Sequence, residues 1–210
     1  MIKLFSVPGT ASTVAHAALL ETGAPFELVQ VTRRNRDEPP ELKQVNPRGR
    51  VPALLDGDCR ISETAAILLH LGDRFPESPL APALGTQARA DYYRFIVYLT
   101  STLHAAYSRW YTRGYLADKE LATTLAAAAE PALFACFDVC DAALAEREYL
   151  AGPFSGADLL LHMLASPSWT LSLPVFATRP HLAAHHARVR ARPAVQEMLA
   201  IHARDKASGL

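Results

Sequence analysis

The chain has 210 residues, of which half are apolar and 20% are charged, and this composition excludes an intrinsically disordered protein. Basic and acidic residues number 21 each, so the chain lacks the positive excess that nucleic-acid binding requires. Apolar runs such as 65–71 are far shorter than the roughly 20 residues of a membrane-spanning helix, and the N-terminus shows no signal-peptide pattern. We therefore expect a cytoplasmic protein with neither a nucleic-acid nor a membrane partner.

Strand and helix signals alternate over residues 1–80. Gly23 is typical of a helix end, and Asp56-Gly57 predicts a hairpin turn between two short strands. The predicted order is β-α-β-α-β-β-α. The elements are strands at Ile2–Ser6, Phe26–Val31, Val51–Leu55 and Asp58–Ile61, helices at Ser12–Thr22 and Ser62–Gly72, and a short helix within residues 33–46.

The strand signals end at a proline-rich segment, residues 75–85, which holds three prolines in eleven positions and is typical of a linker. The predicted helices beyond it are Gln87–Trp110, Lys119–Glu148, Ser155–Leu164, His181–Arg192 and Ala194–His202, with Pro131 kinking or dividing the second. The chain is therefore predicted to have an α/β domain at residues 1–77, a linker at 78–85 and an all-α domain at 86–210.

The cysteine and histidine patterns predict neither a disulfide framework nor a metal site. The chain has three cysteines and no CxxC, and Cys136 and Cys140 share one face of an apolar helix, which is typical of buried thiols. His181, His185 and His186 offer two helix-spaced metal ligands, but no neighbouring Cys, Asp or Glu completes a set.

The segment that opens with Val51-Pro52 carries the most specific chemical signal. Proline cannot donate to a β-ladder, and a cis Val51–Pro52 bond would turn the Val51 amide and carbonyl outward, where an extended peptide ligand can pair with them. Ten residues further on, Ser62-Glu63-Thr64 opens a helix whose free amides suit a carboxylate, while Glu63 suits an ammonium group. A small zwitterionic peptide would fit there; a strand-edge proline followed by an ordinary helix cap at Ser62 is the alternative.

Taken together and in order, these motifs resemble the glutathione transferase superfamily, and most closely its bacterial beta-type members. The resemblance covers essentially the whole chain. It rests on Pro8-Gly9, Glu21-Thr22-Gly23, Asn46-Pro47, Val51-Pro52-Ala53-Leu54, Glu63-Thr64-x-Ala66-Ile67, Phe154-Ser155-Gly156-Ala157-Asp158 and Arg192-Pro193-Ala194-Val195-Gln196. Within these, Ser155 and Asp158 have the spacing of a capping box.

The resemblance implies a thioredoxin-like domain followed by a helical one, a homodimer, and glutathione as the co-substrate, with no metal. It also implies a glutathione site in which the backbone of Val51, next to Pro52, holds the cysteinyl part of the tripeptide. Glu63 and Thr64 would then hold its γ-glutamyl end, Thr64 through its amide and hydroxyl.

The resemblance breaks at the residue that should activate the glutathione thiol. The beta pattern has a cysteine where this chain has Ala11, and the early-strand tyrosine of other classes is also absent. Hydroxyl groups remain at Ser6, Thr10, Ser12 and Thr13, and Ser12 and Thr10 are the main catalytic candidates because they flank the missing cysteine. A hydroxyl that donates to the sulfur lowers the thiol pKa from about 8.5. Ser12 has an alternative interpretation as a plain N-cap.

The helical half offers residues that could complete the site. His104 matches a histidine that lines the beta-type glutathione site, although a lone helix histidine is usually structural. Tyr107, Trp110 and Tyr111 follow with i, i+3, i+4 spacing and form either an apolar wall for an electrophile or ordinary core. Trp169 has the same two interpretations.

The sequence therefore predicts a glutathione transferase that activates the glutathione thiol for attack on a small hydrophobic electrophile. A glutathione-binding or dimerisation protein of the same fold, without transferase activity, is one alternative, because the cysteine is missing. A glutathione-dependent disulfide reductase that uses two glutathione molecules is the other.

Overall fold

The computed structural model describes residues 1–31, 39–111, 116–170 and 173–207, with side chains as far as residue 204. The chain divides into two compact units. The first unit combines Met1–Ala83 with the segment from Arg188 onward, and the second is Leu84–Ala187. The sequence predicted one helical domain over residues 86–210. In the structure, the C-terminal helix (Pro193–Ala207) groups with the first unit.

A mixed four-stranded sheet lies at the centre of the first unit. Its order is β2-β1-β3-β4, with β1 parallel to β2 and the other neighbouring pairs antiparallel. The strands are β1 (Ile2–Ser6), β2 (Phe26–Gln30), β3 (Ala53–Asp56) and β4 (Cys59–Ser62). Gly57 adopts a φ of 59° in the turn that joins β3 to β4, which confirms the hairpin predicted from Asp56-Gly57.

Two helices lie between these strands in sequence and a third follows β4, so the predicted β-α-β-α-β-β-α order is confirmed. They are α1 (Ser12–Thr22), α2 (Pro40–Val45) and α3 (Thr64–Arg74). Helix α1 has the predicted bounds and ends at Gly23, whose φ of 66° is the left-handed conformation that glycine adopts most easily.

The C-terminal helix α10 (Pro193–Ala207) packs against α1 through polar contacts near both ends. The Arg192 guanidinium, just before α10, donates to both carboxylate oxygens of Glu21 at 2.6 and 2.8 Å. Toward the other end, His16 Nδ1 lies 2.9 Å from His202 Nε2, and both side chains are buried. Hydrogen bonds between elements 171 and 186 residues apart in sequence thus fix α10 on the first unit.

The second unit contains helices in the parts of it that the structure describes. They are α4 (Gln87–Val97), a π-helical segment (Tyr98–Leu103), α5 (His104–Tyr111), α6 (Lys119–Ala143), α7 (Gly156–Ala165), α8 (Pro167–Thr170) and the first part of α9 (Pro180–Arg190). The sequence predicted one continuous helix over residues 87–110. Thr100 and Ser101 donate their hydroxyls to the carbonyls of Ile96 and Val97, and such side-chain bonds perturb the α-helical ladder where the π-helix begins.

Helix α6 is 25 residues long and continues through Pro131. By length and composition alone it is the one described helix that could span a membrane, and it packs extensively against α5. Its Cys136 and Cys140 are buried free thiols, as predicted. Burial, with Cys136 nearby, raises the pKa of the Cys140 thiol to about 12, so this thiol remains protonated.

The start of α7 is a fully buried capping box, as predicted from Ser155 and Asp158. One carboxylate oxygen of Asp158 accepts the Ser155 N–H at 2.8 Å and the Ser155 hydroxyl at 3.1 Å. The other accepts the Leu150 N–H and lies 2.9 Å from His185 Nε2. Four donors therefore surround a single buried carboxylate.

Candidate functional site

The register of the sheet brings three of the predicted site segments to one end of the first unit. Phe5 of β1 pairs with Ala53 of β3, which in turn pairs with Ser62 of β4. The loop after β1, the residues before β3 and the residues after β4 therefore all extend beyond the same edge. Neighbouring strands are ~4.8 Å apart, so β1 and β4 are separated by roughly 10 Å, about the length of an extended tripeptide.

Beneath this edge, a hydrophobic cluster fixes two of the three segments. Phe5, Val7 and Ala53 are buried in it, together with Val31, Leu42 and Val45, and the half-buried Val51 packs against the same cluster. The side chains of Val7 and Val51 thus anchor their segments, while their backbones lie at the edge of the sheet.

The Val51–Pro52 peptide bond is cis, as the sequence predicted. The N–H and C=O of Val51 form no hydrogen bond with any described residue. Asn46, which is only 6% exposed, holds the preceding loop: its side-chain NH₂ donates to the Arg50 carbonyl at 2.9 Å, and its side-chain oxygen accepts the Arg48 N–H at 3.1 Å. Sequence reasoning included Asn46-Pro47 in a motif but did not identify this bracing role.

Glu63 and Thr64 form the start of α3. Glu63 is the N-terminal cap residue, with φ 72° and ψ 122°, and its side chain is exposed. A non-glycine residue in this conformation is strained, and such strain clusters at functional sites. The Thr64 N–H and hydroxyl form no hydrogen bond with the described residues.

The alternative interpretation of Ser62 as the cap of α3 is wrong. Ser62 is the last residue of β4, where it pairs with Ala53, and the helix begins two residues later. Strand β4 therefore continues to Ser62, the residue whose hydroxyl suggested a helix cap. No side chain of the described residues caps α3.

The two catalytic candidates, Thr10 and Ser12, contact each other at the start of α1. Their hydroxyl oxygens are 2.8 Å apart, and Ser6 Oγ lies 2.9 Å from Ser12 Oγ. Ser6 and Ser12 have no exposed surface, whereas Thr10 is half-buried. Both Thr10 and Ser12 also lie within hydrogen-bond distance of the Val7 carbonyl, at 2.8 and 3.0 Å.

Ser12 is not the N-cap of α1. The cap residue is Ala11, which offers no side-chain hydrogen bond, and Ser12 is already helical. The Ser12 oxygen instead accepts the Val7 N–H at 3.0 Å, from the loop before the helix. The Ala11 N–H has no hydrogen-bond partner among the described residues and lies at the positive end of the helix dipole.

His104, Tyr107, Trp110 and Tyr111 lie on α5 in the second unit, where Trp169 of α8 joins them. The ring of Trp169 lies 5.7 Å from that of His104 and 5.3 Å from that of Tyr107, and Tyr107 stacks on Tyr111 at 5.6 Å. We call these five residues the aromatic cluster.

The members of the aromatic cluster differ in exposure. Trp110 is fully buried and Tyr107 is 7% exposed, while His104, Tyr111 and Trp169 are half-buried. The Tyr107 ring contacts the other three rings, and the buried Trp110 packs against Tyr107. The rings that present surface are those of His104, Tyr111 and Trp169.

Comparisons with known proteins agree with this geometry. Residues 1–73 match the family model described as the glutathione S-transferase N-terminal domain. The chain is 30% identical over 162 residues to glutathione S-transferase GST-4.5 of Xanthomonas campestris, covering 76% of this chain and 79% of the relative.

Two solved structures match nearly the whole chain. A sphingomonad glutathione S-transferase complexed with glutathione has a TM-score of 0.81 and 35% identity, covering 96% of this chain and 98% of that one. A bacterial beta-class glutathione S-transferase from Sphingomonas chungbukensis has a TM-score of 0.79 and 33% identity, covering 95% and 98% of the two chains.

Residues 1–73 of the first unit are thus the thioredoxin-like domain of a glutathione transferase fold, which also has a C-terminal helical domain. The chain belongs to the glutathione S-transferase family and is a transferase.

Proposed function

We propose that this transferase binds glutathione along the edge of the sheet described above and conjugates it to a small hydrophobic electrophile. The observation that carries the proposal is the convergence of three segments at that edge. Each has polar groups with no hydrogen-bond partner in the part of the chain that the structure describes: Ala11 N–H, the Val51 backbone, and the Thr64 N–H and hydroxyl. Their span of about 10 Å suits a tripeptide.

The peptide end of this site consists mainly of backbone. Val51 N–H and C=O would pair with the cysteinyl residue of glutathione as a short β-bridge. The first-turn N–H groups of α3 would hold the γ-glutamyl carboxylate, with the Thr64 hydroxyl beside them, and the exposed Glu63 carboxylate would hold its ammonium group.

At the thiol end, the exposure of the hydroxyl groups favours Thr10 over Ser12 as the donor to the sulfur. Ser12 has no exposed surface, and its oxygen already accepts the Val7 N–H. Thr10 is half-buried and precedes Ala11, whose N–H forms no hydrogen bond within the described ranges. The Thr10 hydroxyl and the Ala11 N–H would together stabilise a thiolate more than a thiol.

The reaction follows from this stabilisation. The glutathione thiol releases its proton to solvent, and the thiolate lone pair forms a carbon–sulfur bond to the electrophile. In a substitution, the leaving group departs with its bonding electron pair; in an addition, the displaced electron pair takes up a proton. The protein contributes the lowered thiol pKa and the proximity of the two reactants.

For the electrophile, the aromatic cluster supports an apolar, flat substrate class. His104, Tyr111 and Trp169 present half-buried ring surface, on which an aromatic or unsaturated electrophile would stack. Tyr107 and Trp110 act as packing for the other rings.

A homodimer is part of the proposal. Val97 at the end of α4 is 59% exposed, and Val139 of α6 is 49% exposed, with Tyr93, Leu121 and Leu125 also exposed on these two helices. We propose that these side chains form a contiguous apolar patch at the interface, because such patches mark sites of protein association. Val97→Glu is expected to shift the sedimentation coefficient from the value of a dimer to that of a monomer. An unchanged sedimentation coefficient would show that these two helices do not form the interface.

The Thr10→Ala variant tests the assignment of the thiol end. One hydrogen bond to a charged group is worth about 1.5–3 kcal/mol, so the pKa of the bound glutathione thiol should rise by about 1–2 and conjugation at neutral pH should fall roughly 10–100-fold. Thiolate absorbance against pH and steady-state conjugation rates are the measurements.

Two further variants control this experiment. Thr10→Ser keeps the hydroxyl and should retain most activity. Thr22→Ala removes a hydroxyl that donates to the Leu19 carbonyl at the far end of α1, and its thiol pKa should equal that of the parent. Equal activity in Thr10→Ala and the parent would refute Thr10 as the donor. Glutathione binding without any turnover in the parent would instead refute conjugation.

A further inference from the structure

The hydroxyls of Thr10, Ser12 and Ser6 form a continuous array that ends in the interior. Thr10 Oγ1 is 2.8 Å from Ser12 Oγ, which is 2.9 Å from Ser6 Oγ. The Val7 backbone closes the array, because its N–H donates to Ser12 Oγ at 3.0 Å and its carbonyl lies near both Thr10 and Ser12. We call these three side chains the hydroxyl array.

The donors in this array outnumber the lone pairs of its main acceptor. The Val7 carbonyl has two lone pairs. Three donors reach it: the Thr10 hydroxyl at 2.8 Å, the Ser12 hydroxyl at 3.0 Å and the Thr10 N–H at 3.3 Å. The carbonyl therefore stays fully hydrogen-bonded when one of the hydroxyls turns away.

Ser6 determines whether the hydroxyl proton of Thr10 or that of Ser12 can be redirected to a ligand. Ser12 Oγ accepts the Val7 N–H. Among the described residues the Ser6 hydroxyl has no partner other than Ser12 Oγ, so we infer that the Ser6 proton donates to the second lone pair of Ser12 Oγ. With both lone pairs occupied, Ser12 no longer accepts from Thr10, and its own proton has to donate to another group. The Ser12 proton can then donate to Thr10 Oγ1 or to the Val7 carbonyl, and among the described residues this carbonyl is the acceptor that Ser12 shares with Thr10.

We propose that Ser12 is a positioning residue for the thiol of glutathione. When the ligand binds, the Ser12 hydroxyl donates to the Val7 carbonyl, and the Thr10 proton turns outward to the sulfur without leaving that carbonyl unpaired. Ser6 holds Ser12 in this orientation. The inference rests on the proposed function, because it assigns roles to residues behind the proposed donor.

The array gives Ser12 a role that acts entirely through Thr10. In Ser12→Ala the Val7 carbonyl retains the Thr10 hydroxyl, so turning that hydroxyl outward costs one hydrogen bond. Such a bond corresponds to roughly one pKa unit, so the pKa of the bound thiol should rise by about 1, and kcat should fall about tenfold with KM for glutathione unchanged.

The decisive measurement is a double-mutant cycle on the pKa of bound glutathione, read from thiolate absorbance in the full-length protein. The double variant Thr10→Ala/Ser12→Ala should match Thr10→Ala alone, because Ser12 has no effect once the Thr10 hydroxyl is gone. Ser78→Ala removes another hydroxyl of the first unit, one that donates to the Phe75 carbonyl, and should leave the thiol pKa unchanged.

Ser6→Ala provides a second variant in case Ser12→Ala does not fold, since it leaves both Val7 contacts of Ser12 intact. We expect it to raise the thiol pKa by less than Ser12→Ala does and to have no effect in the Thr10→Ala background. Additive effects, or Ser12→Ala and Ser6→Ala values equal to that of the parent, would overturn the inference.

The outcomes also separate this inference from the proposed function. If Thr10→Ala raises the thiol pKa while both serine variants leave it unchanged, the proposed function stands and the positioning role fails. If glutathione bound to the parent has the pKa of free glutathione, the proposed thiol activation itself fails. If Ser12→Ala raises the pKa and Thr10→Ala does not, Ser12 contacts the sulfur directly, and both assignments are overturned.

Discussion

The starts of α1 and α7 both have hydrogen-bonded networks of polar side chains, but the two networks differ in their acceptors. At α7, a carboxylate that can only accept is surrounded by four donors, and the whole group is buried. At α1, hydroxyls that can both donate and accept share the Val7 carbonyl, and Thr10 is partly exposed. A carboxylate with fixed donors permits a single hydrogen-bond pattern, whereas hydroxyls permit several.

In our proposal, this difference makes one helix start contribute mainly to stability and leaves the other available for chemistry. A fully satisfied buried network holds one arrangement and is costly to break. A hydroxyl network can redirect a proton to a ligand with little change in its internal hydrogen bonds. The expected effects of substitution therefore fall on folding at α7 and on thiol chemistry at α1.

Asp158→Ala should produce the largest effect. Removing the carboxylate leaves the Leu150 N–H, the Ser155 N–H and His185 without an acceptor in the interior, which should lower the free energy of unfolding by about 3–5 kcal/mol. Urea unfolding followed by circular dichroism measures the change.

The matched control is Asp118→Ala. Asp118 also caps a helix, accepting the Leu121 N–H at 3.0 Å, but its site is exposed to solvent. Water replaces the lost acceptor, so this substitution should cost only about 1 kcal/mol. Equal losses for the two aspartates would show that the buried network at α7 has no special importance.

Acidification should lower the free energy of unfolding through the buried His16 of α1. Burial, and next to it His202, lowers the pKa of His16 from 6.5 to about 4, so the imidazole is neutral in the folded protein. Its contribution to stability is complete above about pH 6.5 and is lost as the pH falls toward 4, because the unfolded chain binds the proton first. Between pH 7.5 and 4.5 the loss should be about 2–3 kcal/mol.

A His16→Asn variant isolates that contribution, because asparagine does not titrate. Unfolding free energies at the two pH values should differ less in this variant than in the parent, by the amount assigned to His16. Identical pH dependence in the two proteins would contradict the prediction. Because His202 of α10 contacts His16 of α1, the amides of α10 in the parent should also be less protected from hydrogen exchange at the lower pH than at the higher one.

The start of α3 provides a third case, in which stability and ligand binding should oppose each other. Glu63 has a φ of 72°, so Glu63→Gly should relieve strain and raise the free energy of unfolding by about 1 kcal/mol. The same change removes the proposed partner of the glutathione ammonium group and should raise the Kd for glutathione about tenfold or more.

Glu63→Gln separates the two effects, because it keeps the strained backbone and removes only the charge. Its stability should equal that of the parent, while calorimetric titration should show weaker glutathione binding. Unchanged affinity in both variants would exclude Glu63 from the binding site.

Local patterns were sufficient to predict most of the elements. The bounds of β1 and α1, the glycine at the end of α1, the Asp56-Gly57 turn and the Ser155–Asp158 capping box depend on neighbours close in sequence, and all are present. The cis Val51–Pro52 bond was predicted for the same reason, since a proline at the entrance of a strand already restricts the local backbone.

The burial and contacts of the hydroxyls, and the packing of α10, were evident only from the tertiary structure. Spacing could not distinguish Ser12 from Thr10, because burial depends on the β1 end and on Ser6, which approach from outside the helix. Likewise, His16 and Glu21 meet residues more than 170 positions away. Sequence determined which groups could donate, accept or cap, but their partners depend on long-range packing that no local pattern encodes.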